Sequence, residues 1–139
     1  MKPQSFHYDR LVKGEDLNHH GTLFAGRSAE WFVEAGFIAA ASALPAQNIV
    51  CLKIHGMTFT RPVRPGEIAC FESRIVHTGR TSLKTYVRLK LRDREESVLE
   101  GFITFVHVDE NGKAQPHGLE LELETEEDKA LNQQAASLS

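Results

Sequence analysis

The chain has 139 residues, 41% of them hydrophobic and 25% charged, with a formal net charge of -3. That is enough for one domain burying roughly 68% of its unfolded surface, and the negative balance leaves no basic footprint for nucleic acid or an anionic membrane. Its longest apolar run is broken by Arg27, Glu30 and Glu34, short of the roughly 20 residues of a membrane span. The start, MKPQSFHYDR, lacks the apolar centre of a secretion signal, so a cytoplasmic location is expected. Cys51 and Cys70 have no metal-type spacing and sit in apolar runs, which predicts buried structural thiols.

Taken in order, Ser5 to Val12 reads as a short strand with Phe6, Tyr8 and Val12 on one face. Lys13-Gly14-Glu15 breaks it and leads into a polar turn, Asp16-Leu17-Asn18-His19-His20-Gly21. A proline-free run follows whose apolar residues recur at three- and four-residue spacing, which predicts one helix over Leu23 to Ala43. Phe24, Trp31, Ala35, Ile38, Ala39 and Ser42 fall on one face, and Gly26, Ala29, Val33, Phe37 and Ala40 on nearly the opposite one. Only Arg27, Glu30 and Glu34 make a polar stripe. A helix apolar on two faces is expected to be wrapped by the rest of the chain.

From Asn48 the period changes to alternation. Asn48 to Thr60 is apolar on both faces, which predicts a strand central in its sheet; Arg61-Pro62-Val63-Arg64-Pro65-Gly66 ends it. Glu67 to His77 is the next strand, turned by Thr78-Gly79-Arg80. Leu83 to Arg92 sets Leu83, Val87, Leu89 and Leu91 against Lys84, Arg88, Lys90 and Arg92, one face for the core and one for water. Val98 to Val108 closes the series at the turn Asp109-Glu110-Asn111-Gly112. Residues 1–123 therefore read as a single α+β domain, and 124–139 as an acidic and polar tail, either a frayed helix or disordered.

Three stretches carry a resemblance. They are Asp16-x-Asn18-x-x-Gly21-x-x-Phe24-x-Gly26, then Gly56-Met57-Thr58-Phe59-x-Arg61-Pro62-Val63-x-x-Gly66-Glu67, and finally Gly79-Arg80-Thr81-Ser82 followed by Phe105-Val106-x-Val108-Asp109-x-x-Gly112. In this order they resemble the hot-dog fold, and within it the acyl-CoA hydrolase branch of the thioesterases. The resemblance implies an antiparallel sheet wrapped around one long central helix. It also implies at least a homodimer, with trimers of dimers common in the branch, and acyl-CoA lying between subunits. No cofactor is implied, because coenzyme A is part of the substrate.

Thioester hydrolysis needs an activated water or a carboxylate nucleophile, and donors for the developing oxyanion. The family pattern supplies a loop Asn, matched by Asn18, an acid within the helix, and the helix N-terminus as donor. At the usual position of the acid this chain has Val33, and the next residue is Glu34. Glu34 is then the candidate base, unless it belongs to a solvated network with Arg27 and Glu30; Asp16 is the remaining local carboxylate, unless it only shapes the turn. His19 and His20 lack the spaced further ligands of a metal site, and His19 is kept as a substrate contact. Gly26 would admit substrate close to the backbone. Arg61, Arg64, Arg80 and Lys84 are candidate phosphate contacts, with Thr81 and Ser82 in the loop that lies near pantetheine in relatives. His55, His77 and His107 sit in strands and are expected to be structural. A non-catalytic acyl-CoA binding or sensing domain is the competing function, favoured by Val33. A hot-dog dehydratase lacks its histidine context here.

Overall fold

A computed structural model describes residues 1–138. Strand β1 (Phe6–Leu11) precedes helix α1 (Ala25–Ala41), and then come β2 (Ile49–Ile54), β3 (Thr58–Phe59), β4 (Ile68–Thr78), β5 (Ser82–Leu91), β6 (Leu99–His107) and helix α2 (Glu126–Ala136). One antiparallel sheet runs β1-β4-β5-β6-β2, with β3 also on β6. Its concave side holds α1, chiefly over β4 and β5. This is the expected hot-dog arrangement.

The alternation read in β5 places its side chains as expected, with Leu83, Val87, Leu89 and Leu91 all buried. Trp31, Phe32, Ala35, Gly36, Ala39 and Ala40 form the buried arc of α1. Small residues dominate it, so helix and sheet approach closely. A Cβ on Gly36 would stand 2.7 Å from Ile103 Cδ1 and 3.0 Å from Thr85 Oγ1.

Four expectations need correction. Only one arc of α1 is covered: Phe24 and Ile38 are exposed, and Val33 and Phe37 half-buried. The strand expected over Asn48 to Thr60 is two strands, because the chain turns away between Ile54 and Thr58 with Gly56 at φ +93°. And β2 lies at the sheet edge, not its centre, leaving Val50, Leu52 and Ile54 exposed, Leu52 at 67%. Cys51 is exposed with them and Cys70 is half-buried, so neither is the buried thiol expected.

Beyond Leu123 the chain forms a docked helix. Thr125 caps α2 by accepting from Asp128 N at 3.0 Å, and Glu126, Glu127 and Asp128 suit the positive end of its dipole. Leu131 and Ala135 bury against Val76, Tyr86 and Phe102 on the convex side of the sheet. Arg74 pairs with Asp128 at 3.0 Å and with Glu127. Lys84 Nζ donates to the carbonyls of Ala135 and Leu138 at the other end. Ser139, the end of the expected tail, lies outside the described residues. Among the described residues no helix is long and apolar enough to cross a membrane.

Two expected outcomes follow from this packing. A Cβ on Gly101 would stand 2.6 Å from the Gly56 carbonyl oxygen, so Gly101→Ala should cost about 2 kcal/mol in urea denaturation. Burial, followed by Lys84, holds His77 below its ordinary value, and burial, followed by Lys53 and Lys84, does the same for His55. The folded state therefore binds these protons at lower pH than the unfolded chain. Stability should be full above about pH 6.5 and fall as pH drops through the folded values. His77→Gln should show a shallower fall when thermal denaturation is followed across that range.

Candidate active site

The start of α1 is pinned from two sides. Leu23 N donates to the Val63 carbonyl at 2.8 Å and Phe24 N to the Asp16 carbonyl at 2.8 Å. Asp16 itself is 2% exposed. Its Oδ2 accepts from Lys13 N at 2.9 Å, and its Oδ1 lies 3.5 Å from Arg27 Nε. Asp16 thus stitches the loop to the first helical turn.

No side chain caps this helix: the N-cap residue is Phe24. Among the described residues, the N–H groups of Ala25 and Gly26 have no acceptor. Two orphan donors and the positive end of a 17-residue helix make an anion-stabilising position. It opens on a cleft of about 410 Å³ lined by Asn18, Ala25, Ser28, the Phe59–Val63 stretch and Leu89. Gly26 does not meet the cleft through a bare backbone; the Phe24 ring lies over it, 2.5 Å from where a Cβ would stand.

Asn18 has a turn role and a cleft position together. Its Oδ1 accepts from His20 N at 2.8 Å and Thr22 N at 3.2 Å, and its Nδ2 donates to Thr22 Oγ1 at 3.1 Å. Ser28 was not foreseen. It is 2% exposed, lines the cleft, and among the described residues its hydroxyl has no partner. A polar residue three positions past Ala25, on the buried arc and away from the polar stripe, was the available signal.

Arg61 borders the same cleft, with Glu67 at 3.8 Å and Glu96 at 3.6 Å. Arg64 is exposed, and its backbone N–H donates to Glu67 Oε1 at 2.7 Å. His19 and His20 are exposed, their rings tilted at 43° to each other with centroids 3.9 Å apart. No cluster of three His, Cys, Asp or Glu suited to a metal occurs among the described residues.

Glu34 is elsewhere. It lies nine residues past Ala25, roughly 14 Å along the axis at 1.5 Å per residue, and lines a separate shallow groove of about 360 Å³ with Val33, Phe37 and Ile38. The alternative read for Glu34, a network with Arg27 and Glu30, does not form, since Arg27 faces Asp16. Glu34 Oε2 instead accepts from Tyr8 OH at 2.6 Å.

Arg80, Thr81 and Ser82 are also remote from the cleft. Ser82 opens β5 and Leu89 lines the cleft, seven residues and roughly 23 Å apart at 3.3 Å per residue. The turn is tied to the chain that follows β6: His107 N donates to the Thr81 carbonyl at 2.7 Å, and His117 Nε2 to the Ser82 carbonyl at 2.8 Å. Because Leu119 N donates to His117 Nδ1 at 2.9 Å, that ring is assigned as the neutral Nε2–H tautomer. Lys84, expected near phosphate, is committed to the end of α2.

Residues 20–98 match the sequence model of the Thioesterase superfamily. The chain is 27% identical over 105 residues to the Bacillus subtilis uncharacterized acyl-CoA thioester hydrolase YkhA, covering 73% of this chain and 60% of that protein. It is 27% identical over 116 residues to the Salmonella typhimurium acyl-CoA thioester hydrolase YciA, covering 76% and 84%. Among solved structures, an apo-hexameric acyl-CoA thioesterase superimposes with a TM-score of 0.86 at 31% identity, over 96% of this chain and 86% of that one.

Asp16→Ala would leave Lys13 N–H and the Arg27 guanidinium without their buried acceptor. It should cost about 2 kcal/mol in chemical denaturation. Lost activity with unchanged stability would instead mark Asp16 as a catalytic carboxylate.

Proposed function

The chain belongs to the thioesterase superfamily, and we propose that it hydrolyses acyl-CoA thioesters to a free carboxylic acid and coenzyme A. The observation that carries this is the uncapped start of α1, where Ala25, its N–H without an acceptor among the described residues, lines the cleft beside Asn18. A thioester carbonyl placed there develops its negative charge against fixed donors and the helix dipole. Water adds to the carbonyl carbon as a carboxylate takes its proton. The tetrahedral intermediate then collapses, the C–S bond breaks, and the CoA thiolate leaves and recovers a proton. Water and thioester become acid and thiol, with no cofactor needed.

Glu34 is the carboxylate we assign, supplied by a second copy. Within one chain it is remote from the Asn18 cleft, as are Arg80, Thr81 and Ser82. Two features favour a second copy. The edge strand β2 exposes Val50, Leu52 and Ile54, and antiparallel pairing with its own copy would satisfy its open backbone edge and extend the sheet across both subunits. The groove of Val33, Glu34, Phe37 and Ile38 is a partly open apolar stripe on α1. The hexameric relative supports such assembly. In this arrangement Asn18 orients the carbonyl or water, and the partner's Glu34 acts as base. His19, Arg61 and Arg64 contact the coenzyme from the same side as Asn18, and Arg80, Thr81 and Ser82 of the second copy reach its pantetheine and phosphates.

A non-catalytic acyl-CoA binder keeps one observation in its favour, the apolar Val33 where relatives place the acid. Thiol release separates the two. Glu34→Gln should slow hydrolysis by roughly 100- to 10,000-fold and Asn18→Ala by on the order of 100-fold, with folding intact. Arg80→Ala should raise KM for acyl-CoA but not for a thioester lacking the nucleotide. Acyl-CoA binding by calorimetry with no thiol release from the unmodified protein would establish the binder.

A further inference from the structure

An exposed glutamate on a helix ordinarily samples several rotamers, yet Glu34 is held. Tyr8 OH donates to its Oε2 at 2.6 Å, and Arg10 Nη1 donates to the same Tyr8 oxygen at 2.7 Å. The Arg10 guanidinium lies 4.8 Å from the centroid of Trp31 and 5.5 Å from that of Tyr8. Trp31 is 0% exposed, so a continuous line of contacts runs from the packed core to the carboxylate. Tyr8 and Arg10 alternate with exposed His7, Asp9 and Leu11 on β1, which puts both on the strand face turned toward α1.

The geometry points to Tyr8 and Arg10 as positioning residues that fix the Glu34 carboxylate for its work as base. This rests on the assignment of Glu34 made above. The line commits one carboxylate oxygen: Oε2 is taken by Tyr8, and among the described residues Oε1 has no partner and is left for the attacking water. Arg10 donating into the Tyr8 oxygen polarises the phenol and strengthens its bond to Glu34. Burial, then the Glu34 carboxylate, pushes the Tyr8 hydroxyl above its ordinary value, so it remains a donor across the working range. A base held in one orientation acts on kcat, whereas loss of a substrate contact acts on KM.

The test is Tyr8→Phe, made both in the unmodified chain and in Glu34→Gln. Phenylalanine keeps the ring packing on Phe71, whose centroid is 6.1 Å away. In the unmodified background kcat should fall about tenfold with KM within about twofold. In Glu34→Gln the same change should do nothing further, because the group it positions is gone. Equal losses in both backgrounds, or a loss that tracks a lowered Tm, would reduce the Tyr8 bond to a brace between β1 and α1. An unchanged kcat would overturn the inference outright. Full turnover in Glu34→Gln alone removes Glu34 as the base and this inference with it, an outcome distinct from one in which Glu34 matters and Tyr8 does not.

Discussion

Everything in this fold depends on how closely α1 lies on its sheet. Ala35, Gly36, Ala39 and Ala40 leave so little side chain between helix and strands that Thr85 and Ile103 come within contact distance of the Gly36 backbone. Such an approach is possible along one arc only. The arc with Val33, Phe37 and Ile38 is apolar too but only partly covered within one chain: Val33 and Phe37 are half-buried and Ile38 is exposed. The edge strand β2, with Leu52 its most exposed residue, presents the same unfinished surface on the sheet.

The same packing fixes where the helix begins, and hence where its free donors point. Asp16 and the Val63 carbonyl anchor the residues before Ala25. Phe24 offers no capping oxygen, so the first N–H groups stay available. A serine or aspartate at Phe24 would accept from the Gly26 N–H and take one of those donors. Neighbours on one loop have different surroundings: Asp16 is buried in structural bonds, and Asn18, two residues on, lines the cleft.

Much of this was legible in the sequence because it depends on local period. The spacing along Leu23 to Ala43 and the alternation in Leu83 to Arg92 each reflect one element's relation to one core. Sheet position is not local. The two apolar faces of Asn48 to Thr60 predict a strand covered on both sides at the centre of the sheet, but β2 lies at the edge, with Val50, Cys51, Leu52 and Ile54 all exposed. Gly56 hid the break before Thr58, because a lone glycine also fits a strand interior. Cys51 followed β2 into exposure. At the site, motif spacing brought Asn18 and the helix start together but could not separate the buried Asp16 from the exposed Glu34. Ser28 belongs to none of the three motifs; only its polar character on the buried arc of α1 set it apart, and the Phe59–Val63 stretch lines the cleft beside it. The docking of α2 rests on Arg74 and Lys84, charged residues that alternation assigns to solvent.

The central claim is that one site needs Asn18 from one copy and Glu34 from another, and subunit complementation tests it most directly. Asn18→Ala and Glu34→Gln proteins, each inactive alone, would be mixed, dissociated and reassembled. In a mixed pair one site then carries both intact residues and the other carries neither. With random two-fold pairing, about a quarter of the normal activity should return. If the mixture stays as inactive as its components while mixed dimers are shown to form, the two residues do not meet across subunits and the site must lie within one chain.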